Sequence, residues 1–344
     1  MKLRAVLAAA AAALVVAAPA AAGPAIVGYP SSMASIGDSI TRAYNTCWFP
    51  YVDCPANSWS TGSSINSHYS RILAANGAIA GRNPNLAVTG AEMADLNAQA
   101  QNAVARGVAY VTVELGSNDV CASTEAGMTP VATFRAQLEQ GLATLSSGLP
   151  NARIFIASIP DIRQLWAIYK DSLTARTVWA LAGICQSMLA RPTSTAQADV
   201  DRRNHVRQRN IDYNTQLAQA CARYVHCRFD GNTVFSTPFV RSDVTTRDYF
   251  HPSGAGQTKL ASVTWGATFD FADVTPPTSQ GAFTDGAVTL TPTAADVKGI
   301  EYRLATGGWS RYTSTLPLAS GATITWRAVD VNGNSEATHT LTAP

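Results

Sequence analysis

Four short apolar runs rich in β-branched residues punctuate the first half of the chain: Met33 to Ile36, Leu86 to Thr89, Tyr110 to Leu115 and Ile154 to Ile159. Each ends near Gly, Pro, Asn or Ser, which predicts buried strands. Helical spacing of apolar positions marks Tyr69 to Ile79, Glu92 to Ala105, Val131 to Leu145, Arg203 to Tyr224 and Gly256 to Phe269. Strands alternating with helices predict βαβ units, hence a parallel sheet covered on both faces. Chemistry on such sheets gathers at the carboxyl ends of the strands.

The texture changes after Phe271, at the Pro/Thr-rich stretch Asp273-Val274-Thr275-Pro276-Pro277-Thr278, which reads as a join between domains. Beyond it come short alternating runs, Ala287 to Pro292, Ile300 to Leu304, Ala322 to Val329 and Ala337 to Thr342. Turn residues at Gly307-Gly308, Ser320-Gly321 and Asn332-Gly333-Asn334 separate them. This predicts a small all-β sandwich with Tyr302, Trp309 and Trp326 in its core. At the other end, Lys2 and Arg4 precede an apolar run from Ala5 to Ala18 and the small residues Pro19-Ala20-Ala21-Ala22, the order of a secretory signal peptide. That run is shorter than the roughly 18 residues of a spanning helix, so no membrane span is expected. The expected organisation is a signal peptide over 1–22, an α/β domain over 23–272 and a β-module over 273–344.

Loss of Lys2 and Arg4 with the signal leaves 23 basic residues against 23 acidic ones, a formally neutral chain. No clustered basic excess remains, which argues against a nucleic-acid partner. The six cysteines, Cys47, Cys54, Cys121, Cys185, Cys221 and Cys227, suit three disulfides in an oxidising compartment. Loop closure favours the local pairs Cys47 with Cys54 and Cys221 with Cys227, leaving Cys121 with Cys185. The spacing is not that of a zinc site, and no metal is expected.

Candidate chemistry sits where the sheet rule places it. Gly37-Asp38-Ser39-Ile40 follows the first strand, and a helix start there would aim the Ser39 N–H at developing negative charge. In Asp248-Tyr249-Phe250-His251 the carboxylate lies three residues before a histidine. It can fold back onto Nδ1, fix the tautomer and leave Nε2 free to take a serine proton. Gly90 after the second strand offers a backbone N–H, and Asn118 after the third offers an amide, two donors suited to an oxyanion. The other histidines, His68, His205, His226 and His339, have weaker surroundings.

Gly37-Asp38-Ser39, Gly90, Gly116-Ser117-Asn118-Asp119 and Asp248-Tyr249-Phe250-His251 occur in the order of the four blocks of the SGNH or GDSL-type hydrolases, which this chain resembles from about Ser31 to Phe271. The one departure is Ile40 where the family name has Leu. The resemblance implies a three-layer flavodoxin-like α/β/α domain, no cofactor, and ester cleavage through an acyl-enzyme on Ser39. His251 would be the base, Asp248 its orienting acid, and Ser39, Gly90 and Asn118 the oxyanion donors. The Gly-x-Ser-x-Gly elbow of α/β-hydrolases is absent. The tail loosely resembles immunoglobulin-like modules of secreted bacterial enzymes, which implies polymer or cell-surface attachment.

An insertion from Gln164 to Ala198 carries Leu165, Trp166, Ile168, Tyr169, Val178, Trp179, Leu181 and Met188. It reads either as helix packing or as an apolar wall for an acyl chain, joined by Trp48, Phe49 and Tyr51 of the Cys47 loop. The wall favours a secreted, monomeric lipase or esterase acting on a small-molecule or lipid ester. A carbohydrate O-acetyl esterase is the nearest alternative, and an inactive secreted adhesion protein the alternative from another class.

Overall fold

The computed structural model describes residues 25–305 and 307–344, so the signal-peptide reading lies outside the described residues. Strands β1 (Met33–Gly37), β2 (Tyr110–Glu114), β3 (Arg153–Ile156) and β4 (Cys227–Phe229) form a parallel sheet in that order. Side chains alternate across it. Ala34, Ile36, Val111, Val113, Ile154 and Ile156 enter one core, and Met33, Tyr110 and Phe155 enter the other. Apolar residues on both faces are what a sheet buried between two helical layers requires.

The helices are α1 (His68–Ala75), α2 (Leu96–Ala105), α3 (Ser117–Val120), α4 (Val131–Gly148), α5 (Ile162–Tyr169), α6 (Leu173–Leu181), α7 (Gln186–Leu189), α8 (Gln197–Cys221), α9 (Thr233–Ser236) and α10 (Gly254–Ala267). Helices α2, α4 and α8 cover the first face through Leu96, Phe134, Leu138, Val206 and Leu217. Helices α1 and α10 cover the second through Ile72 and Leu260. The result is the three-layer flavodoxin-like architecture.

Around the parallel sheet, two strand readings change. Leu86 to Thr89 is not a strand: it meets β1 at the single bridge of Ser35 with Asn85, flanked by Leu86 and Val88 N–H bonds to the Ser35 and Gly37 carbonyls at 2.8 and 3.1 Å. Pro84 has no N–H to extend the ladder, and exposed Val88 and Thr89 have no outer strand. Cys227–Phe229 is a strand although only three residues long, too short to leave a pattern.

After residue 273 the chain forms β5 (Ser279–Thr284), β6 (Ala287–Pro292), β7 (Val297–Leu304), β8 (Ser310–Arg311), β9 (Leu316–Pro317), β10 (Thr323–Asp330) and β11 (His339–Thr342). They make sheets ordered β11-β10-β7-β8 and β5-β6-β9, an all-β module around Val288, Leu290, Ile300, Ile324 and Trp326. Trp309 is not in this core. It is half-buried beside the α/β domain, with the Arg303 and Arg327 guanidiniums over its ring at 5.0 and 4.4 Å.

Disulfides join Cys47 to Cys54, Cys121 to Cys185 and Cys221 to Cys227. Among the described residues no helix is long and apolar enough to cross a membrane.

Candidate active site

Ser39 leaves the sheet immediately beyond β1. Gly37 has φ +155°, and a Cβ there would lie 2.3 Å from the Glu114 carbonyl oxygen, so only glycine lets the two strand ends come this close. Gln99 clasps the same residue, accepting from the Gly37 N–H at 2.7 Å and donating to its carbonyl at 3.0 Å. No helix starts at Ser39. The turn closes with Arg42 N–H on the Asp38 carbonyl and Tyr44 N–H on the Ser39 carbonyl, both at 3.0 Å. Left-handed backbone at Ala43 and Asn45 stops it from continuing, so the Ser39 N–H is presented by a turn and not by a helix dipole.

His251 Nε2 lies 2.8 Å from Ser39 Oγ, and its Nδ1 lies 2.8 Å from Asp248 Oδ2. The Asp248 turn is tight. Its Oδ1 accepts the Phe250 and His251 N–H groups at 2.9 and 3.0 Å, and Oδ2 also accepts from the Asn45 amide. Burial works against ionisation of Asp248, but the bonds from the His251 ring and from these backbone donors outweigh it and hold its pKa below the ordinary value. Tyr44 packs on the imidazole with ring centroids 4.9 Å apart.

The insertion helices support this turn from behind. Tyr249 has φ +55°, a strained conformation for a residue with a Cβ. Trp179 of α6 donates its indole N–H to the Tyr249 carbonyl at 3.0 Å, and Tyr169 of α5 meets the Tyr249 ring edge-on. Most of the insertion therefore packs and braces. Leu165 and Ile168 alone of its singled-out residues line an apolar cavity, together with Ile162, Val244 and the chain neighbours of Ser39 and His251, Ile40 and Phe250. That cavity holds about 60 Å³. Trp48, Phe49 and Tyr51 are not part of its wall; they face solvent.

The two expected oxyanion donors sit on adjoining loops. Gly90 has φ +84°, a conformation that favours glycine, and open space lies where a Cβ would be. Asn118 donates one amide hydrogen to the Ala91 carbonyl at 2.8 Å, and Asp119 accepts the Met93 N–H at 2.8 Å, so α3 and the Gly90 loop are clipped together. An Asn amide has two hydrogens, so one of Asn118's remains for a ligand. Neither the Ser39 nor the Gly90 N–H donates to another group among the described residues.

Beneath Ser39 lies a pair of buried acids, Asp38 and Glu114. Asp38 Oδ1 accepts the Ile40 N–H at 2.8 Å, while its Oδ2 and both Glu114 oxygens lack a donor partner among the described residues. Burial pushes Asp38 up to about 7, and burial with the Asp38 charge drives Glu114 well above the usual carboxylate range. Both acids are thereby held toward the neutral form.

Sequence reasoning missed Asn45, Tyr44, Gln99 and Gln257, the last of which donates to the Ile40 carbonyl at 2.8 Å. Each acts across the fold, with no local spacing to reveal it. His68, by contrast, is buried between Tyr110 and Thr264, and His205 is exposed beside Glu125.

A flavodoxin-like sheet with a Ser–His–Asp array at the carboxyl ends of its strands is an arrangement for hydrolysis. The family model described as GDSL-like Lipase/Acylhydrolase matches residues 33–264. The chain belongs to that family and is a carboxylic ester hydrolase. Among curated proteins none matches the sequence. Solved structures similar to it include an extracellular lipase from Streptomyces rimosus, at 16% identity over 69% of this chain and 99% of that one, with TM-score 0.43. Phospholipase A1 from Streptomyces albidoflavus NA297 gives 16% identity, 71% and 100% coverage and TM-score 0.40. A two-domain esterase active on acetylated mannans gives 13%, 86% and 67%, with TM-score 0.35.

Proposed function

We propose that the protein is an exported esterase of apolar acyl esters that works through a covalent acyl-enzyme on Ser39. The reading rests on one observation, the continuous hydrogen-bonded line from Asp248 through His251 to Ser39, with Ile40, Phe250 and Pro252, chain neighbours of Ser39 and His251, lining an apolar cavity. His251 Nε2 takes the Ser39 proton as Oγ bonds to the ester carbonyl carbon. The carbonyl oxygen becomes an oxyanion, held by the Ser39 and Gly90 N–H groups and the free Asn118 hydrogen, donors worth about 3 to 4 kcal/mol each. His251 returns the proton to the leaving alkoxide, the C–O bond breaks and the alcohol departs. Water then gives its proton to His251 and attacks the acyl carbon, and the acid leaves as Ser39 regains its hydrogen.

Asp248 keeps the imidazolium stabilised and Nδ1 protonated throughout. The cavity, about 60 Å³ against roughly 10–15 Å³ for one water, takes the few carbons next to the carbonyl. So small a volume also suits an acetyl group, which keeps a sugar O-acetyl ester as the second reading. Export is supported by the charged and apolar N-terminal pattern and by three disulfides.

A panel of p-nitrophenyl esters of increasing chain length, run beside an acetylated sugar, tests the assignment. Turnover that peaks on short aliphatic acyl groups and vanishes in Ser39→Ala is expected. Undiminished turnover in Ser39→Ala would refute it.

A further inference from the structure

Few large apolar side chains stand so far into water as Trp48, Phe49 and Tyr51, at 90%, 70% and 64% exposure. They share one short loop closed by the Cys47–Cys54 disulfide. The loop is not loose. Arg247 donates to the Asn45, Phe49 and Trp48 carbonyls at 3.0, 2.9 and 2.9 Å. The Asn45 N–H bonds to the Val52 carbonyl at 2.9 Å, and the Tyr51 N–H to Asn45 Oδ1 at 2.5 Å. Exposed Val52 and Val88 extend the apolar area, and Thr89 ties the Gly90 loop to the disulfide loop through Asp53. The neck of the loop reaches the catalytic machinery, since the Asn45 amide that orders Tyr51 also donates to Asp248.

We infer that this stapled aromatic loop is the surface by which the enzyme seats itself on a lipid–water interface, placing the mouth of the Ser39 site against aggregated ester. The inference deepens the proposed esterase function and rests on it. Clustered exposed aromatics mark a binding surface, and Trp and Tyr favour the polar–apolar boundary of lipid. Several backbone groups of the loop matter most for choosing lipid over polysaccharide. A carbonyl pushed into an apolar phase without a donor is strongly disfavoured, and here Arg247 already satisfies those of Trp48 and Phe49. A platform for stacking sugar rings stays wet and has no need of that arrangement.

The test uses the full chain carrying Ser39→Ala, so that binding is read without hydrolysis, with and without Trp48→Ala/Phe49→Ala/Tyr51→Ala. Probes are phosphatidylcholine vesicles in high salt and, separately, insoluble acetylated xylan. Vesicle co-sedimentation with a blue-shifted tryptophan emission is expected for the intact loop, falling by about tenfold or more without the aromatics. With Ser39 present, the triple variant should hydrolyse a soluble p-nitrophenyl ester within about twofold of wild type and an emulsified ester about tenfold more slowly. An intact loop that ignores vesicles, a triple variant that binds them equally, or an aromatic-dependent hold on xylan alone would each overturn the inference. Because binding is measured on a protein lacking Ser39, none of these results bears on the nucleophile.

Discussion

Two buried glutamates, one in the parallel sheet and one in the β-module, behave in opposite ways. Glu114 ends β2 beneath Ser39, faces Asp38, and lacks a donor partner for either oxygen. Glu301 lies in β7 of the β-module, against the α/β domain, with the Arg327 guanidinium on it and His226 Nε2 at 3.2 Å. Burial pushes both toward neutrality. For Glu301 the His226 and Arg327 contacts outweigh it and hold its pKa below the ordinary value, whereas for Glu114 the neighbouring acid adds to it. Arg327 also donates to Asn151 Oδ1 and the Pro150 carbonyl at 2.7 and 2.9 Å, so the paired charges fasten the module to the α/β domain. The difference teaches that charge is compensated where the molecule is held together and left titratable where chemistry is done.

The largest expected effect is on the titratable side. Asp248→Asn should lose about a thousand- to ten-thousandfold in kcat. Asp248 Oδ1 faces two backbone donors, so an Asn would keep its carbonyl there and turn its NH2 toward His251 Nδ1, forcing the tautomer that cannot accept from Ser39. No backbone carbonyl bonds to Nδ1 to share the task among the described residues. Steady-state kinetics on a soluble ester measures this, and a loss below about tenfold would show that Asp248 does not set the tautomer.

On the compensated side, Arg327→Ala leaves Glu301 buried with only His226 beside it. Urea unfolding should show about 3 to 5 kcal/mol lost, with soluble-ester turnover by the folded protein unchanged. A turnover loss without a stability loss would mean that the module shapes the site directly.

The smallest effect sharpens the comparison through pH. The folded Asp38–Glu114 pair keeps a proton that the unfolded chain releases, so more protons are bound in the folded state between the ordinary aspartate value of 3.8 and about 7. Its contribution to stability therefore falls as pH rises through that window. Glu114→Gln removes one of the two ionisations, so its Tm should gain a few degrees on wild type between those pH limits. A Tm difference that stays flat with pH would mean that burial does not hold the pair neutral.

Legibility followed locality. The strand β6 and the Asp248-to-His251 return could be read because each is decided by residues a few positions apart. The start of α8 at Gln197, ahead of Arg203, could not: its first turns are mostly polar and show no period. Asn45 and Gln99 carry roles set by partners 203 and 62 residues away, which no window of sequence contains. A large aromatic in a small β-module reads as core from sequence; Trp309's place beside Arg327 depends instead on how the module meets the α/β domain.

The central claim is that Ser39 attacks the ester, and a fluorophosphonate probe tests it at the atom concerned. Peptide mapping of the labelled protein should find one adduct, on Ser39, formed in step with the loss of esterase activity and absent from Ser39→Ala. An adduct on another residue that tracks the loss of activity, or full inactivation with Ser39 unmodified, would contradict the account.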